Sequence, residues 1–330
     1  MFKSASFFRI ADDFILPPLE ALEEALQAAR FLPCAATQAE SSGWVAPRGN
    51  KSTALVENVN RQIIVRLCTE RRPVPASAIK AAVEERIEKY KQETGRERVG
   101  AKIKKEFREE ALVDLMPRAF TKQSSTTLWL DPVNKFIVVD SGSLTGADKV
   151  VSFLVEALSS IPGAAGLKAQ PVQTTQSAAV SMAHWLSSRE APVGFTVDRD
   201  CELKTPDDEK STVRYSRHTL EIDEVADHIA AGKVPTQLAM TWNDRVSFVL
   251  SDAGQIKKLK LLDVVLDGIG DKGKDDDGFD TDAAILTGEL SAMIPDILEA
   301  LGGELNSDPL SQSPPSQLAN AADGVHRAAV

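Results

Sequence analysis

Two prolines, Pro75 and Pro117, enclose a stretch of helical periodicity that interrupts a series of strand-like segments. Between them, apolar residues recur at helical spacing in two consecutive runs, separated by a turn that begins at Gly95. On either side, runs such as 62–70 and 126–130 are rich in β-branched and apolar residues, which favours strands. The chain is therefore predicted to be α+β, with antiparallel or mixed sheets, packed helices and a two-helix hairpin that projects from the sheet.

Turn signals and shifts in composition divide the chain into four segments. The Gly-, Pro- and Gln-rich stretch 162–176 predicts a domain boundary, and the sequence after residue 305 has too little apolar content to pack. We expect a central α+β domain of residues 1–74 and 118–165, a helical-hairpin tip of residues 75–117, a C-terminal α+β base domain of residues 166–304, and a disordered tail of residues 305–330.

The sequence lacks the signals of an exported, membrane or metal-binding protein. No window approaches the ~18 uninterrupted apolar residues that a membrane span needs, and the N-terminus lacks the pattern of a signal peptide. Cys34, Cys68 and Cys201 are far apart, which indicates inert thiols in a reducing compartment rather than disulfides or zinc ligands. We expect a cytoplasmic protein without a metal ion.

Two short motifs invite a catalytic interpretation, and neither supports it. The stretch GIGDKG at 268–273 matches a phosphate-binding fingerprint, but the acidic residues after it would repel a phosphate. Ser77 in the stretch SAIK begins a surface helix, where serine is more typical of a cap than of a nucleophile. We therefore predict neither enzymatic activity nor a cofactor.

Charge is distributed unevenly along the chain. The formal net charge is -10, which argues against a nucleic-acid partner because phosphates repel acidic proteins. Residues 71–122, however, contain 14 Lys and Arg against 9 Asp and Glu, whereas residues 263–330 contain 3 against 14. A chain polarised in this way can present a basic surface on an acidic protein.

Several basic patches interleaved with aromatic residues are candidates for contact with a polyanion. The contact residues that we predict are Lys102, Lys104, Lys105, Arg108, Arg118, Phe120, Lys122, Arg214, Arg217, His218, Lys257 and Lys258. Lys260 lies in the same run as the last two. For the helical lysines the alternative is a solvated surface, because Glu106, Glu109 and Glu110 on the same helix can pair with them.

The stretch PRAFTK, residues 117–122, contains no acidic residue and places an aromatic ring between two cations. Such a corner suits contact with phosphates and bases. Two roles are open for Phe120, contact with a partner or packing in the core, and a buried phenylalanine is the commoner case.

A series of short blocks resembles the RdgC family of recombination-associated proteins, in matching order over residues 1–304. The blocks are FLPC at 31–34, SSGWVAP at 41–47, LMPRAFTK at 115–122, AGKVPTQLAMTWNDRVSFVL at 231–250, LTGEL at 286–290 and EALGGE at 299–304.

The resemblance implies a nucleoid-associated protein that binds double-stranded DNA without sequence preference and limits RecA-mediated recombination. It also implies a ring-shaped homodimer whose basic central hole surrounds the duplex. Arg118 and Phe120 match the PRAF block of the family, whereas His218 departs from the lysine and amide common in its stretch. The alternative is a protein-interaction module that contacts the recombinase directly through its acidic surface.

Overall fold

The computed structural model describes residues 2–162, 166–206, 211–267 and 278–305. Its strands are β1 Ser4–Ile10, β2 Glu40–Val45, β3 Glu57–Val59, β4 Gln62–Arg71, β5 Lys122–Asp131, β6 Phe136–Val139, β7 Ala169–Pro171, β8 Phe195–Lys204, β9 Thr212–Tyr215, β10 Val234–Trp242, β11 Val246–Ser251 and β12 Ile256–Leu261. Its α-helices are α1 Leu19–Ala28, α2 Ala76–Thr94, α3 Ala101–Leu115, α4 Leu144–Ser159, α5 Ala178–Ser188, α6 Asp223–Ala230, α7 Asp263–Leu266 and α8 Phe279–Ala300.

These strands form one continuous sheet in the order β2-β4-β5-β6-β1-β12-β11-β10-β8-β9, with β3 beside β4 and β7 beside β1. Strand pairs among the described residues run antiparallel, which confirms the predicted α+β class with an antiparallel sheet. Consecutive strands joined by short turns favour this arrangement, because a parallel pair needs a long crossover.

Strand β1 joins the two halves of the sheet. Its residues 6–9 pair with β6, whereas Ser4 and Ala5 pair with Lys257 and Ile256 of β12. Because side chains alternate along a strand, β1 also contributes to both hydrophobic cores. The predicted central domain and the predicted base domain thus adjoin at this one strand. The division into these domains stays a prediction.

The two cores lie on opposite faces of the sheet. Phe8 and Ile10 pack with helices α1 and α4 on one face, and Ala5 and Phe7 pack with α5 and α8 on the other. Trp129 of β5 belongs to the core that contains α5 and α8, so this core extends from the C-terminal half across β1 into the N-terminal half.

Helices α2 and α3 follow one another and run antiparallel. The rings of Tyr90 and Phe107 lie 5.9 Å apart, and the guanidinium of Arg86 lies 2.6 Å from Asp114. Helix α2 buries none of its side chains and α3 buries only Ala111. That residues 75–117 project as a tip stays a prediction.

Two sequence-based predictions fall wholly or largely on residues that are not described. The stretch 268–273 and the predicted disordered tail after Leu305 lie outside the described residues. Among those that are described, no helix combines the length and the apolar character required to cross a bilayer.

Candidate nucleic-acid interface

The four predicted cations of α3 are all exposed. Lys105 lies 3.8 Å from Glu109 on the next turn of the same helix. For Lys102, Lys104 and Arg108, no described carboxylate lies within 4.0 Å. Pairing along the helix, which was the alternative for this stretch, therefore neutralises one of the four charges.

The corner between α3 and β5 presents Phe120 to solvent. This side chain is 92% exposed, and Arg118 and Lys122 on either side of it are exposed as well. Phe120 is therefore no part of the hydrophobic core of this chain. Its contact with a partner stays a prediction.

A network of polar groups holds the backbone next to Phe120. The guanidinium of Arg72 donates to the carbonyl oxygen of Ala119 at 3.1 Å and to that of Cys34 at 3.3 Å. Glu70 is buried and accepts from the backbone N–H of Cys34 at 2.5 Å and from the amide of Gln123 at 3.2 Å. The Cys34 N–H is the main reason that the pKa of Glu70 is lowered. Sequence reasoning missed these residues, because their partners are distant in the chain.

Arg214 is engaged by a buried acid. Glu202 is 3% exposed and forms ion pairs with Arg214 and, at 2.7 Å, with Lys204. Hydrogen bonds from Lys204 and Arg214 lower the pKa of Glu202 to about 2. The Arg214 side chain is 70% exposed and shares the single Glu202 carboxylate with Lys204, and its role as a contact residue stays a prediction.

Arg217 and His218 lie in an exposed turn after β9. The backbone of Arg217 is left-handed, with φ 53°, and its N–H donates to the carboxylate of Asp200 at 2.7 Å. The ring of His218 lies 6.0 Å from that of Tyr215. No described carboxylate lies within 4.0 Å of the Arg217 guanidinium.

Lys257 and Lys258 lie in β12 next to the start of β1. Lys257 is half-buried and pairs with Ser4, whereas Lys258 is exposed and has a left-handed backbone with φ 52°. Neither ammonium group has a described carboxylate within 4.0 Å.

The predicted cations are spread over the molecule rather than gathered in a pocket. Strand alternation places Lys122, Lys257 and Arg214 on one face of the sheet, the face that α1 and α4 cover in the N-terminal half. Neighbouring strands lie about 4.8 Å apart, and two strands separate β5 from β12 while three separate β12 from β9. Charges spaced in this way suit an extended polyanion better than a small ligand.

The predicted contact residues belong neither to a metal cluster of the described residues nor to the cavity beside α5. In the described ranges, no three His, Cys, Asp or Glu side chains are grouped so that they could hold a metal ion. A cavity of about 350 Å³ lies where β1, α5 and the end of α8 meet, lined among others by Phe7, Ala178 and Leu298. None of the predicted contact residues lines it.

Comparison with known proteins gives consistent matches over the same range as the sequence blocks. A family described as "Putative exonuclease, RdgC" matches residues 1–304. The recombination-associated protein RdgC of Herminiimonas arsenicoxydans is 40% identical over 304 residues, 92% of this chain and 98% of the relative. That of Dechloromonas aromatica (strain RCB) is 40% identical over 308 residues, and that of Proteus mirabilis (strain HI4320) is 35% identical over 305 residues, each with the same coverage of 92% and 98%.

Proposed function

Since the chain belongs to the RdgC family of recombination-associated proteins, we propose that it binds double-stranded DNA without sequence preference and thereby limits RecA-mediated recombination. The observation that carries the proposal is the corner at Phe120, where an aromatic ring that is 92% exposed lies between the two exposed cations Arg118 and Lys122. The link to RecA rests on the family resemblance alone.

The cations that this function needs are available. Of the ten predicted ones, Lys105 and Arg214 form ion pairs with described acids, and the other eight have no such partner within 4.0 Å. A lysine or arginine that forms no ion pair within the protein can neutralise a phosphate and release its counterion, which is the main source of sequence-independent affinity for DNA.

A homodimer is the assembly that we propose. Apolar side chains on α2 and α3 are only partly covered within one chain, and Val113 of α3 is 59% exposed. A second copy can cover such a surface by a two-fold, self-complementary contact. Light scattering of the purified protein tests this: a monomer at micromolar concentration would contradict it.

A salt series on duplex binding tests the DNA-binding function. Log affinity should fall linearly with log salt concentration, with a slope of about 0.9 per phosphate contacted. Replacing Arg118 and Lys122 by glutamine should reduce the slope. The matched control replaces Lys80 and Lys89, which pair with Glu84 and Glu93 on the same helix at 3.8 and 4.0 Å, and should leave the slope unchanged. A flat salt response, or strong preference for one sequence, rules the function out.

Two further assays separate this function from its alternatives. Coverage of the duplex should impede RecA-catalysed strand exchange, and unchanged exchange at saturating coverage argues against the proposed role in recombination. If the chain is instead an interaction module for the recombinase, RecA should be retained by it without DNA.

We propose that the role is not catalytic, although the family description mentions an exonuclease. End-labelled duplex and single-stranded DNA incubated with the protein and Mg²⁺ should release no labelled nucleotides. Release that scales with protein concentration through successive purification steps would establish a nuclease.

A further inference from the structure

We propose that Lys3, Lys257, Lys258 and Lys260 form a phosphate-binding patch across the seam between β1 and β12, and that bound DNA stabilises this seam. We call these four residues the seam patch. The proposal rests on the proposed DNA-binding function and names a surface and a structural consequence that this function does not require.

The seam is the thinnest connection in the sheet. Strand β1 pairs with β12 through two residue pairs, Ser4 with Lys257 and Ala5 with Ile256, but with β6 through four. One more hydrogen bond, from the N–H of Leu259 to the carbonyl oxygen of Lys3 at 2.9 Å, extends the contact. Few backbone hydrogen bonds therefore hold the two halves of the sheet edge to edge.

The seam patch places three positive charges on β12 and a fourth, Lys3, directly before β1. Lys3, Lys258 and Lys260 are exposed and Lys257 is half-buried. No described carboxylate lies within 4.0 Å of any of the four ammonium groups. The nearby acid Asp140 accepts instead from the backbone N–H groups of Lys3 and Ser4, both at 2.9 Å.

Like charges on adjacent strands repel each other and destabilise the pairing. A row of DNA phosphates would offset this repulsion, so that binding and strand pairing favour each other. Lys257 and Lys260 lie on the face of β12 opposite Ile256, Leu259 and Leu261, which turn to the core.

The backbone at Lys258 makes this residue suitable for a test by substitution. The register of β11 and β12 shifts between Ser247 and Val249, and Lys258 adopts the left-handed conformation, with φ 52°. Glycine adopts this conformation without strain, whereas a residue with a Cβ does so at a cost. Glycine at this position therefore removes the charge without adding backbone strain.

The test compares two glycine substitutions that relieve the same backbone strain and remove the same charge. Lys258→Gly should lower duplex affinity several-fold and reduce the salt slope by about 0.9, without lowering the melting temperature. Arg61→Gly is the control, because Arg61 also has a left-handed backbone, with φ 67°, and lies in the turn before β4, three strands away from β12. This variant should bind DNA like the unmodified protein.

A second variant covers the remaining charges of β12. Lys257→Gln with Lys260→Gln should reduce the slope further, by about 0.9 for each phosphate that the protein no longer neutralises. If the unmodified protein shows salt-dependent binding and none of these variants changes it, the seam patch is ruled out while the proposed function stands. An equal loss of affinity in Arg61→Gly would also overturn the patch, since the effect would then follow net charge alone. Absence of binding by the unmodified protein overturns both.

Amide hydrogen exchange tests the structural consequence. Adding duplex DNA should slow the exchange of the Leu259 N–H, which bonds across the seam to Lys3. The slowing should disappear in the Lys257→Gln, Lys260→Gln variant at equal DNA occupancy. Unchanged exchange at Leu259 in the fully bound protein would contradict the stabilisation of the seam.

Discussion

The exposed side chain of Phe120 lies next to backbone that a residue distant in the chain holds in place. The ring is 92% exposed, while the carbonyl group of the residue before it is held by Arg72 from the end of β4. An aromatic ring held in solvent loses little conformational entropy when it meets a partner, since its backbone is already fixed. The exposure could be suspected from the flanking cations, but the hydrogen bond that fixes the backbone could not.

Replacing Phe120 by alanine should lower DNA affinity several-fold and leave the melting temperature almost unchanged, because exposed positions contribute within about 0.5 kcal/mol to stability. The matched control is Val193→Ala, at a side chain that is 97% exposed, which should change neither quantity. Melting temperature and duplex affinity per folded molecule are the measurements. A drop of several degrees with unchanged affinity would mean that the ring packs in the assembled protein.

Glu202→Gln should destabilise the protein at neutral pH by about 1–3 kcal/mol, the usual cost of losing charge-assisted hydrogen bonds at a buried group. Folding lowers the pKa of Glu202 to about 2 from its ordinary value of 4.5, so the carboxylate stabilises the fold above pH 4.5. This contribution is lost as the pH falls from 4.5 to 2.

Denaturant titrations between pH 7 and pH 2 measure this effect, and the difference between the variant and the unmodified protein should shrink over that window. Glu190→Gln, at an exposed residue, serves as the control. A difference that is independent of pH would place the stabilising effect elsewhere.

At the scale of elements, local signals predicted the helices well and the sheet only in part. Pro75 and Gly95 bound α2 as expected, with Gly95 in the left-handed conformation at the helix end, φ 65°. The short 3-10 helix Met116–Arg118 continues α3 through Pro117, because proline is tolerated in the first turn of a helix. The sequence patterns did not predict the non-local features. These are the double pairing of β1, the irregularity at Lys258 and the buried acids Glu70 and Glu202, which depend on partners distant in sequence.

Deleting residues 78–114 and joining the ends with a short glycine linker should leave a folded core. Arg71 and Lys122 on the flanking strands are direct partners in the sheet, so the cut ends remain close, and α2 and α3 contribute only Ala111 as a buried residue. Circular dichroism and cooperative thermal unfolding measure the core, and retention on circular DNA measures the proposed ring. Loss of cooperative unfolding would show that the two helices are needed for the core.

At the scale of the whole molecule, Glu304, near the end of the described chain, contacts the first strand, β1. Arg9 of β1 forms an ion pair with Glu304, and its guanidinium lies 3.6 Å from the centre of the Phe136 ring. The isolated pairing of Thr174 with Glu304 adds a second attachment, to the segment after β7. The ion pair between Arg9 and Glu304 therefore closes residues 9–304 into a loop, and this loop contains most of both hydrophobic cores.

Two truncations test this closure. A chain that ends after Leu305 keeps every one of these contacts and should melt like the full chain. A chain that ends after Gly303 loses the Arg9 ion pair and the Thr174 pairing, and should melt several degrees lower. Equal melting temperatures for the two truncated chains would show that the attachment does not stabilise the fold.

The position of β1 at the centre of the sheet has a consequence for synthesis on the ribosome. One edge of β1 is covered once β6 has emerged. On the other edge, β7 covers Phe8–Ile10, but Ser4 and Ala5 wait for β12, which begins 117 residues after β6 ends at Val139. At about 5–20 residues per second, this first part of the edge stays unpaired for roughly 6 to 23 s. An open edge invites pairing with other chains, and a lysine at its start hinders it, so we expect Lys3 to protect the nascent chain before it has any duplex to bind. Nascent chains arrested near residue 200 should aggregate more when Lys3 is replaced by threonine, and equal aggregation would exclude this protection.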